Sequence, residues 1–344
     1  MQPMYTLDLR NPVVGQQVQV NTSTETSCEN PSTRTGRVVA VGTRSVVLAD
    51  IANPSGGLTD AEYASFAAGF DTLVYPAVTG AFGESRDVDQ YGRVVIFYTR
   101  AVNELTSQGS GSYVGGYFHP RDLFPTRDRD GLSACAASNY AEMFYMLVPD
   151  PGGTVNGNVF SRELVLQTSL GTIAHEFQHL INASRRLYVI GTTHWNEQTW
   201  LNEAMSHVTE EVLFYRASGL SARQNLGAPE IQGSARALNA YRTYMDQNIR
   251  RYEKYLEEPE GQSPYDSAAA DANRNDPGRN IATVRIQSSH GMPALTVPMV
   301  HATHRRRRLQ AETVMPGQSS RTSPATIAGR CTRVLVPGRA SLPF

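Results

Sequence analysis

An amphipathic helical pattern between Ser161 and Ser184 sets narrow limits on the fold of this chain. Apolar residues recur there at three- and four-residue steps, which predicts a helix with one buried side. The same segment contains the pattern H-E-x-x-H, with His175, Glu176 and His179 at its fixed positions. Residues four apart on a helix share one face, so both imidazoles can reach a single Zn²⁺. Glu176 then lies beside the water on that ion.

A catalytic zinc site usually takes three protein ligands and leaves a fourth position for water. There are two candidates for the third ligand, and both follow His179 in the sequence. Glu203 follows by twenty-four residues and lies on a second predicted helix, from about Thr199 to Arg216. His194 follows by fifteen residues, but it lies in a Gly-Thr-Thr loop without helical setting. We favour Glu203, and His194 remains the alternative.

The residues around Glu203 resemble the N-E-x-x-S-D segment of thermolysin-type gluzincins, whose glutamate completes the zinc shell. The resemblance implies His175, His179 and Glu203 as the metal ligands. His207 stands where those enzymes hold an aspartate that orients a zinc histidine. Glu210 or Glu211, one turn further along the predicted helix, is therefore an alternative partner for the histidine N–H.

The runs HEFQHLI at 175–181 and WLNE at 200–203 are similar to the hyicolysin-type (M30) zinc metallopeptidases. The likeness extends over about residues 35 to 260 and ends before residue 278. It implies an α+β, zincin-like fold, in which a twisted mixed sheet packs on the active-site helix and a mainly helical lobe follows. It also implies a zinc-dependent bacterial endopeptidase that is secreted or periplasmic and acts on polypeptides.

The corresponding mechanism is hydrolysis by a zinc-activated water, with Glu176 as general base and then general acid. A developing oxyanion needs one more hydrogen-bond donor besides the metal. The candidates are His207, Tyr215, Tyr241 and Tyr244. A strand at Met143–Val148, just before the active-site helix, is expected to pair with an extended substrate as edge strands do. The alternative function is an inactive zinc-binding remnant or a surface binding protein of the same fold.

The pattern along the chain predicts three parts. Residues 1–55 form a β-rich fragment, interpreted as the edge of a β-sandwich. Residues 56–260 form the peptidase domain, and residues 261–344 form a linker and tail. A helix begins at the capping box of Thr59 and Glu62 and is expected to end at Pro76. Val94–Tyr98 reads as a buried strand, and a third long helix is predicted from about Ala235 to Glu258.

Thirty-one basic and thirty-two acidic side chains give a formal net charge of -1. This balance argues against a nucleic-acid partner or a membrane-surface role, which usually require a basic excess. No apolar run approaches the length of a membrane span, and the residues after Met1 do not read as a signal peptide. The sequence predicts no particular oligomeric state.

Two short patterns leave alternatives open. Cys28 and Cys135 can form a disulfide, which would imply an oxidising compartment, or remain two inert thiols. Asp87–Gly92 resembles the opening of a calcium-binding loop. Tyr91 and Tyr98 replace two of its expected ligands, so we favour a plain Asp/Gly turn.

Residues 281–344 hold nine arginines, four of them consecutive at Arg305–Arg308, and a single acid, Glu312. This composition fits three interpretations: an anion-binding tail, a disordered terminus, or translation out of frame. We assign no function to the segment.

Overall fold

The computed structural model describes residues 7–25, 27–191, 197–222, 224 and 226–257. Six strands in this part of the chain form one mixed sheet with the order β1-β2-β3-β4-β6-β5. They are β1 (Gln17–Asn21), β2 (Thr33–Val41), β3 (Ser45–Asp50), β4 (Val94–Tyr98), β5 (Gly116–Phe118) and β6 (Met143–Met146). The predicted tail, including Arg305–Arg308, lies outside the described residues.

The sheet is antiparallel at both ends and parallel in the middle. β1, β2 and β3 form an antiparallel meander, β3, β4 and β6 run parallel, and β5 returns antiparallel to β6. All residues of β4 and β6 are buried, as expected for central strands covered on both faces. The fold is therefore α+β with a mixed sheet, as predicted.

Within the described part of the chain, three helices lie between strands, and the others follow the last strand. They are α1 (Asp60–Gly69), α2 (Tyr75–Phe82), α3 (Arg100–Asn103), α4 (Arg162–Arg185), α5 (Thr199–Ser218), α6 (Ala228–Gln232), α7 (Ala235–Ala240) and α8 (Asp246–Glu257). The predicted capping box begins α1, because Thr59 and Glu62 satisfy each other's backbone N–H groups. Ser161 caps α4 by accepting from the N–H of Leu164. Two of the three long predicted helices are present as α4 and α5. The third, predicted from about Ala235 to Glu258, is present as α7 and α8 joined by a π-helical turn at Tyr241–Met245.

The interpretation of residues 1–55 as the edge of a sandwich is wrong. β3 is hydrogen-bonded in parallel to β4, so the first three strands extend the same sheet as the later ones. The pattern could not distinguish the two arrangements, since a half-buried strand alternates in either case. The division of the chain at residue 55 into separate domains stays a prediction.

The prediction that Pro76 ends the first helix is also wrong. The segment Phe70–Val74 adopts a π-helical turn, in which the N–H of Tyr75 bonds to the carbonyl of Phe70. Pro76 then lies in the first turn of α2, where a missing N–H costs little. The helical run continues to Phe82 and ends at Gly83, whose φ of 82° is readily adopted by glycine.

The apolar side of α4 packs into the main core. Phe177 is fully buried and lies edge-on to Phe70, with ring centroids 5.1 Å apart. Ile173, Ala174 and Leu180 are also fully buried. Because these residues fix the rotation of α4, the opposite side of the helix faces β5 and α5 in a defined orientation.

A disulfide joins Cys28 to Cys135, so one of the two predicted alternatives for these cysteines is present. The bridge ties the segment after β1 to the segment that leads into β6. Among the described residues, no helix is both long and apolar enough to cross a bilayer.

Candidate metal centre

The candidate centre lies between α4 and α5. These helices run antiparallel, since lower residue numbers on α4 contact higher residue numbers on α5. Asn182 bonds to Asn202, and His179 contacts Ser206. One turn further on, His175 contacts Glu210. Hydrophobic packing of α4 and the spacing along α5 therefore place one polar face of each helix against the other.

The three predicted ligands converge on one point. Nε2 of His175 lies 3.3 Å from Oε2 of Glu203, and Nε2 of His179 lies 3.5 Å from Oε1 of the same carboxylate. The three ligand atoms lie within 4.8 Å of one another. A tetrahedral zinc ion with bonds of about 2.0–2.1 Å separates its ligand atoms by about 3.3 Å. The donor types and their spacing therefore fit a zinc ion.

The electrostatics of the centre favour a positive charge between these groups. Burial by itself would raise the pKa of Glu203, but its contacts with His175 and His179 lower that pKa to about 2. Burial opposes a charge on His175, yet hydrogen bonds to Glu203 and Glu210 raise its pKa to about 10. Burial lowers the pKa of His179 to about 4. Two carboxylates, those of Glu203 and Glu210, thus flank the His175 ring, at a place suited to a cation.

His175 is anchored to α5 through its Nδ1 atom, whereas Ser206 of α5 packs on the ring of His179. Nδ1 of His175 lies 2.9 Å from Oε1 of Glu210. The hydroxyl of Ser206 lies 3.1 Å from Nδ1 of His179, closer than the 3.4 Å to Nε2, and donates to Gln178. Because the two distances from Ser206 are so similar, its hydroxyl lies over the face of the His179 ring. Both rings direct Nε2 towards Glu203. The sequence offered Glu210 or Glu211 as the partner of a histidine N–H, and the structure places Glu210 there.

His207 is buried beside the predicted ligands. Its ring centroid lies 4.8 Å from that of His175, and its Nδ1 lies 3.2 Å from Oε1 of Glu210. Arg251 of α8 lies 3.1 Å from the same nitrogen. Burial lowers the pKa of His207 to about 4, so the ring is neutral. Its Nε2 is buried and has no hydrogen-bond partner within the described ranges.

Glu176 faces the strand at the end of the sheet. Its carboxyl group accepts a hydrogen bond from the backbone of Phe118. A Cβ built on Gly116 would lie 3.3 Å from Cγ of Glu176, so the side chain lies against the backbone of β5. Burial raises the pKa of Glu176 to about 7 despite the opposing effect of His175. The sequence pattern does not predict β5, because this strand is only three residues long and begins at the end of a Gly-rich run that is typical of a loop.

The predicted substrate-binding strand requires a correction. β6 pairs with β4 on one side and β5 on the other, so its backbone groups are used within the sheet. The terminal strand beside the active-site helix is β5 instead. A four-residue central strand and an edge strand of equal hydrophobicity cannot be told apart from sequence, because pairing is a tertiary property.

The predicted tyrosine donors lie in helical segments: Tyr215 on α5, and Tyr241 and Tyr244 in the π-helical turn between α7 and α8. The ring of Tyr241 packs against Phe214 at 6.4 Å, and its hydroxyl interacts with Asp246. Tyr244 is buried, and its ring lies next to Gly171 on α4. Tyr215 packs on Phe214 at 5.0 Å. His194, the alternative third ligand, lies outside the described residues.

A second group of acids is separate from the predicted zinc ligands. Carboxylate oxygens of Asp87, Asp89 and Glu142 lie within 4.8 Å of one another. Asp89 accepts from the N–H of Tyr91, as in the predicted Asp/Gly turn. Burial, together with Asp87, raises the pKa of Asp89 to about 7. Burial and Asp89 also raise the pKa of Glu142. The free energy of unfolding is therefore expected to depend on pH through these carboxyl groups.

Comparison with known proteins shows one relative of the chain. The chain is 33% identical over 155 residues to the neutral metalloprotease ShpI of Staphylococcus hyicus. This similarity confirms the predicted resemblance. The match covers 45% of this chain and 32% of the relative, so the chain spans about a third of the length of the curated protein it matches. No family model matches the chain.

Proposed function

We propose that this chain is a zinc metallopeptidase with a zincin-like fold that hydrolyses peptide bonds within polypeptides. The observation that carries the proposal is the convergence of His175, His179 and Glu203, with contacts of 3.3 and 3.5 Å that fit a tetrahedral ion. The similarity to a neutral metalloprotease supports the same reaction. We retain Glu203 over His194 as the third ligand, because Glu203 lies on a helix packed against both histidines.

When bound, Zn²⁺ polarises the scissile carbonyl and lowers the pKa of water. The chain supplies the proton transfer. Glu176 is next to His175, is buried, and is held by the backbone of Phe118. It is therefore placed to take the proton of the attacking water and return it to the leaving amine. The hydrogen bond from β5 keeps the carboxylate in one rotamer, which favours transfer along a fixed direction.

Substrate orientation is assigned to β5. An extended peptide can add to the free side of a terminal strand through main-chain hydrogen bonds, with alternate side chains contacting the protein. β5 ends the sheet, Gly116 lies against Thr172 and Glu176 of α4, and the backbone of Phe118 donates to Glu176. A peptide on that side would bring a carbonyl near the zinc ligands.

His207 and Tyr241 are the proposed donors to the oxyanion. Arg251 donates to Nδ1 of His207, so the single hydrogen of this neutral ring is on Nε2, which is buried and has no partner among the described residues. An acceptor brought against this nitrogen would satisfy it. Tyr241 is occupied with Phe214 and Asp246 and would need to rotate.

We also propose that the protein works outside the cytoplasm. The disulfide between Cys28 and Cys135 supports this assignment, because such bridges persist mainly in oxidising compartments.

Metal content and peptidase activity of the purified chain, measured together, test the function. One Zn²⁺ per chain and cleavage of casein are expected. E176Q should retain zinc and lose at least about a hundredfold in turnover, since general acid–base catalysis contributes that much or more. Zinc without turnover in the wild type would support the inactive remnant instead. Normal cleavage by E176Q would contradict the role of Glu176.

A further inference from the structure

We infer that Glu210 is the positioning residue for His175 and fixes which ring nitrogen faces the metal. The inference rests on the proposed function and deepens it. Oε1 of Glu210 lies 2.9 Å from Nδ1 of His175 and 3.2 Å from Nδ1 of His207. One carboxylate oxygen therefore lies between the two imidazole rings.

The tautomer of His175 follows from this contact. A ring nitrogen that binds a metal must offer a lone pair, so the other nitrogen carries the hydrogen. Nε2 of His175 faces Glu203, whereas Nδ1 faces Glu210. Nδ1–H thus donates to Glu210, and the ring is held with Nε2 towards the ion. A carboxylate in this position also makes the histidine a stronger ligand.

The spacing along α5 explains how Glu210 reaches the site. Glu203, His207 and Glu210 lie at positions i, i+4 and i+7, which fall on one face of a helix. Glu203 is the ligand nearest the start of α5, and Glu210 lies two turns later, opposite His175 on the antiparallel α4. His207 occupies the turn between them. Its side chain has no carboxylate that could accept the N–H of His175. Glu210 supplies the acceptor from the next turn.

The surroundings keep Glu210 in place. Its side chain is 13% exposed, and it contacts the rings of His175 and His207. Asn248 of α8 donates to the carbonyl of His207, and Arg251 lies against the His207 ring. α8 therefore secures His207, which in turn packs beside Glu210. This arrangement limits the rotamers that the carboxylate can adopt.

Two variants of matched volume test the assignment. E210M removes the acceptor, whereas E210Q retains an oxygen but removes the charge. E211Q, the neighbouring acid on α5, is the control. The dissociation constant for Zn²⁺ is measured on the full chain by competition with a chelator, with circular dichroism as a check on folding. Co²⁺ replaces Zn²⁺ in a second measurement, since its visible absorption reports ligand geometry.

We expect E210M to weaken zinc binding by about tenfold to a hundredfold, which is typical when the partner of a metal histidine is lost. E210Q should weaken it by about threefold to tenfold, and E211Q should stay within about twofold. The Co²⁺ spectrum should change in E210M and not in E211Q. Should E210M fail to fold, the E210Q constant decides.

Wild-type zinc affinity and an unchanged Co²⁺ spectrum in the folded Glu210 variants would overturn the inference, as would equal losses in E211Q. Failure of the proposed function looks different. In that case the wild-type chain itself binds no zinc or cleaves no casein.

Discussion

Gly116 of β5 lies against Glu176 of α4 so closely that a side chain at residue 116 has no room. A Cβ built there would lie 3.3 Å from Cγ of Glu176 and only 2.9 Å from the carbonyl oxygen of Tyr145. The first contact joins the end of the sheet to the proposed general base. The second joins β5 to β6, so neither neighbour can move without shifting the strand.

G116A is therefore expected to displace β5. Overpacking of this kind costs about 1–3 kcal/mol in the free energy of unfolding. A displacement that misplaces the Glu176 carboxylate should also lower kcat by about tenfold to a hundredfold. G115A is the matched control, because the nearest atom to a Cβ there lies at an ordinary 3.5 Å. Equal kcat in the two variants would contradict the proposed contact between strand and base.

The choice between Glu203 and His194 as third ligand can be settled by a pair of variants. E203Q keeps the shape of the side chain but removes the charge that faces His175 and His179. We expect it to weaken zinc binding by at least about a hundredfold, more than loss of an outer partner. H194A should bind zinc as the wild type does. The reverse result, measured by chelator competition, would assign the third ligand to His194.

The disulfide should contribute measurably to stability. It links residues separated by 107 positions, and closing so long a loop restricts the unfolded chain. Replacing both Cys28 and Cys135 by serine should cost about 2–5 kcal/mol in the free energy of unfolding. C331S, which removes the third cysteine, serves as the control. A melting temperature that reductant leaves unchanged in the wild type would contradict the prediction.

The acids near β4 predict a stability that falls as pH rises. The folded-state pKa of Asp89 is about 7, above its unfolded value of about 3.9. Between these values the folded state binds more protons, so the free energy of unfolding decreases from about pH 4 to about pH 7 and remains reduced above that. D89N should remove this decrease in the free energy of unfolding, while the side-chain amide oxygen can still accept from the N–H of Tyr91. D89N should exceed the wild type by about 1–2 kcal/mol at pH 8.

The two proteins should converge near pH 4, where Asp89 is protonated in the folded state. D130N, at an exposed carboxylate, is the control and should show no such pH dependence. Denaturant unfolding at several pH values measures the difference. A constant offset between D89N and wild type at all pH values would rule out the titration of Asp89 as its cause.

The proposed zinc ligands illustrate what local pattern can predict. His175 and His179 share a face because any α-helix places residues four apart together, and α4 forms close to its predicted bounds. The same reasoning placed Glu203 on a second helix and left Glu210 and Glu211 as alternatives on its next turn. Periodicity also predicted β4 to the residue, since a buried apolar run between polar turns has few alternatives.

The sequence by itself determined the long helices, most strands, the candidate metal ligands and the resemblance to a peptidase family. Only the tertiary structure decided that β5 rather than β6 ends the sheet, that the first three strands continue it, and that Glu210 rather than Glu211 contacts His175. These are questions of pairing and rotation between distant segments. Local periodicity fixes which side of an element is apolar, whereas its neighbour is chosen by packing across the whole core.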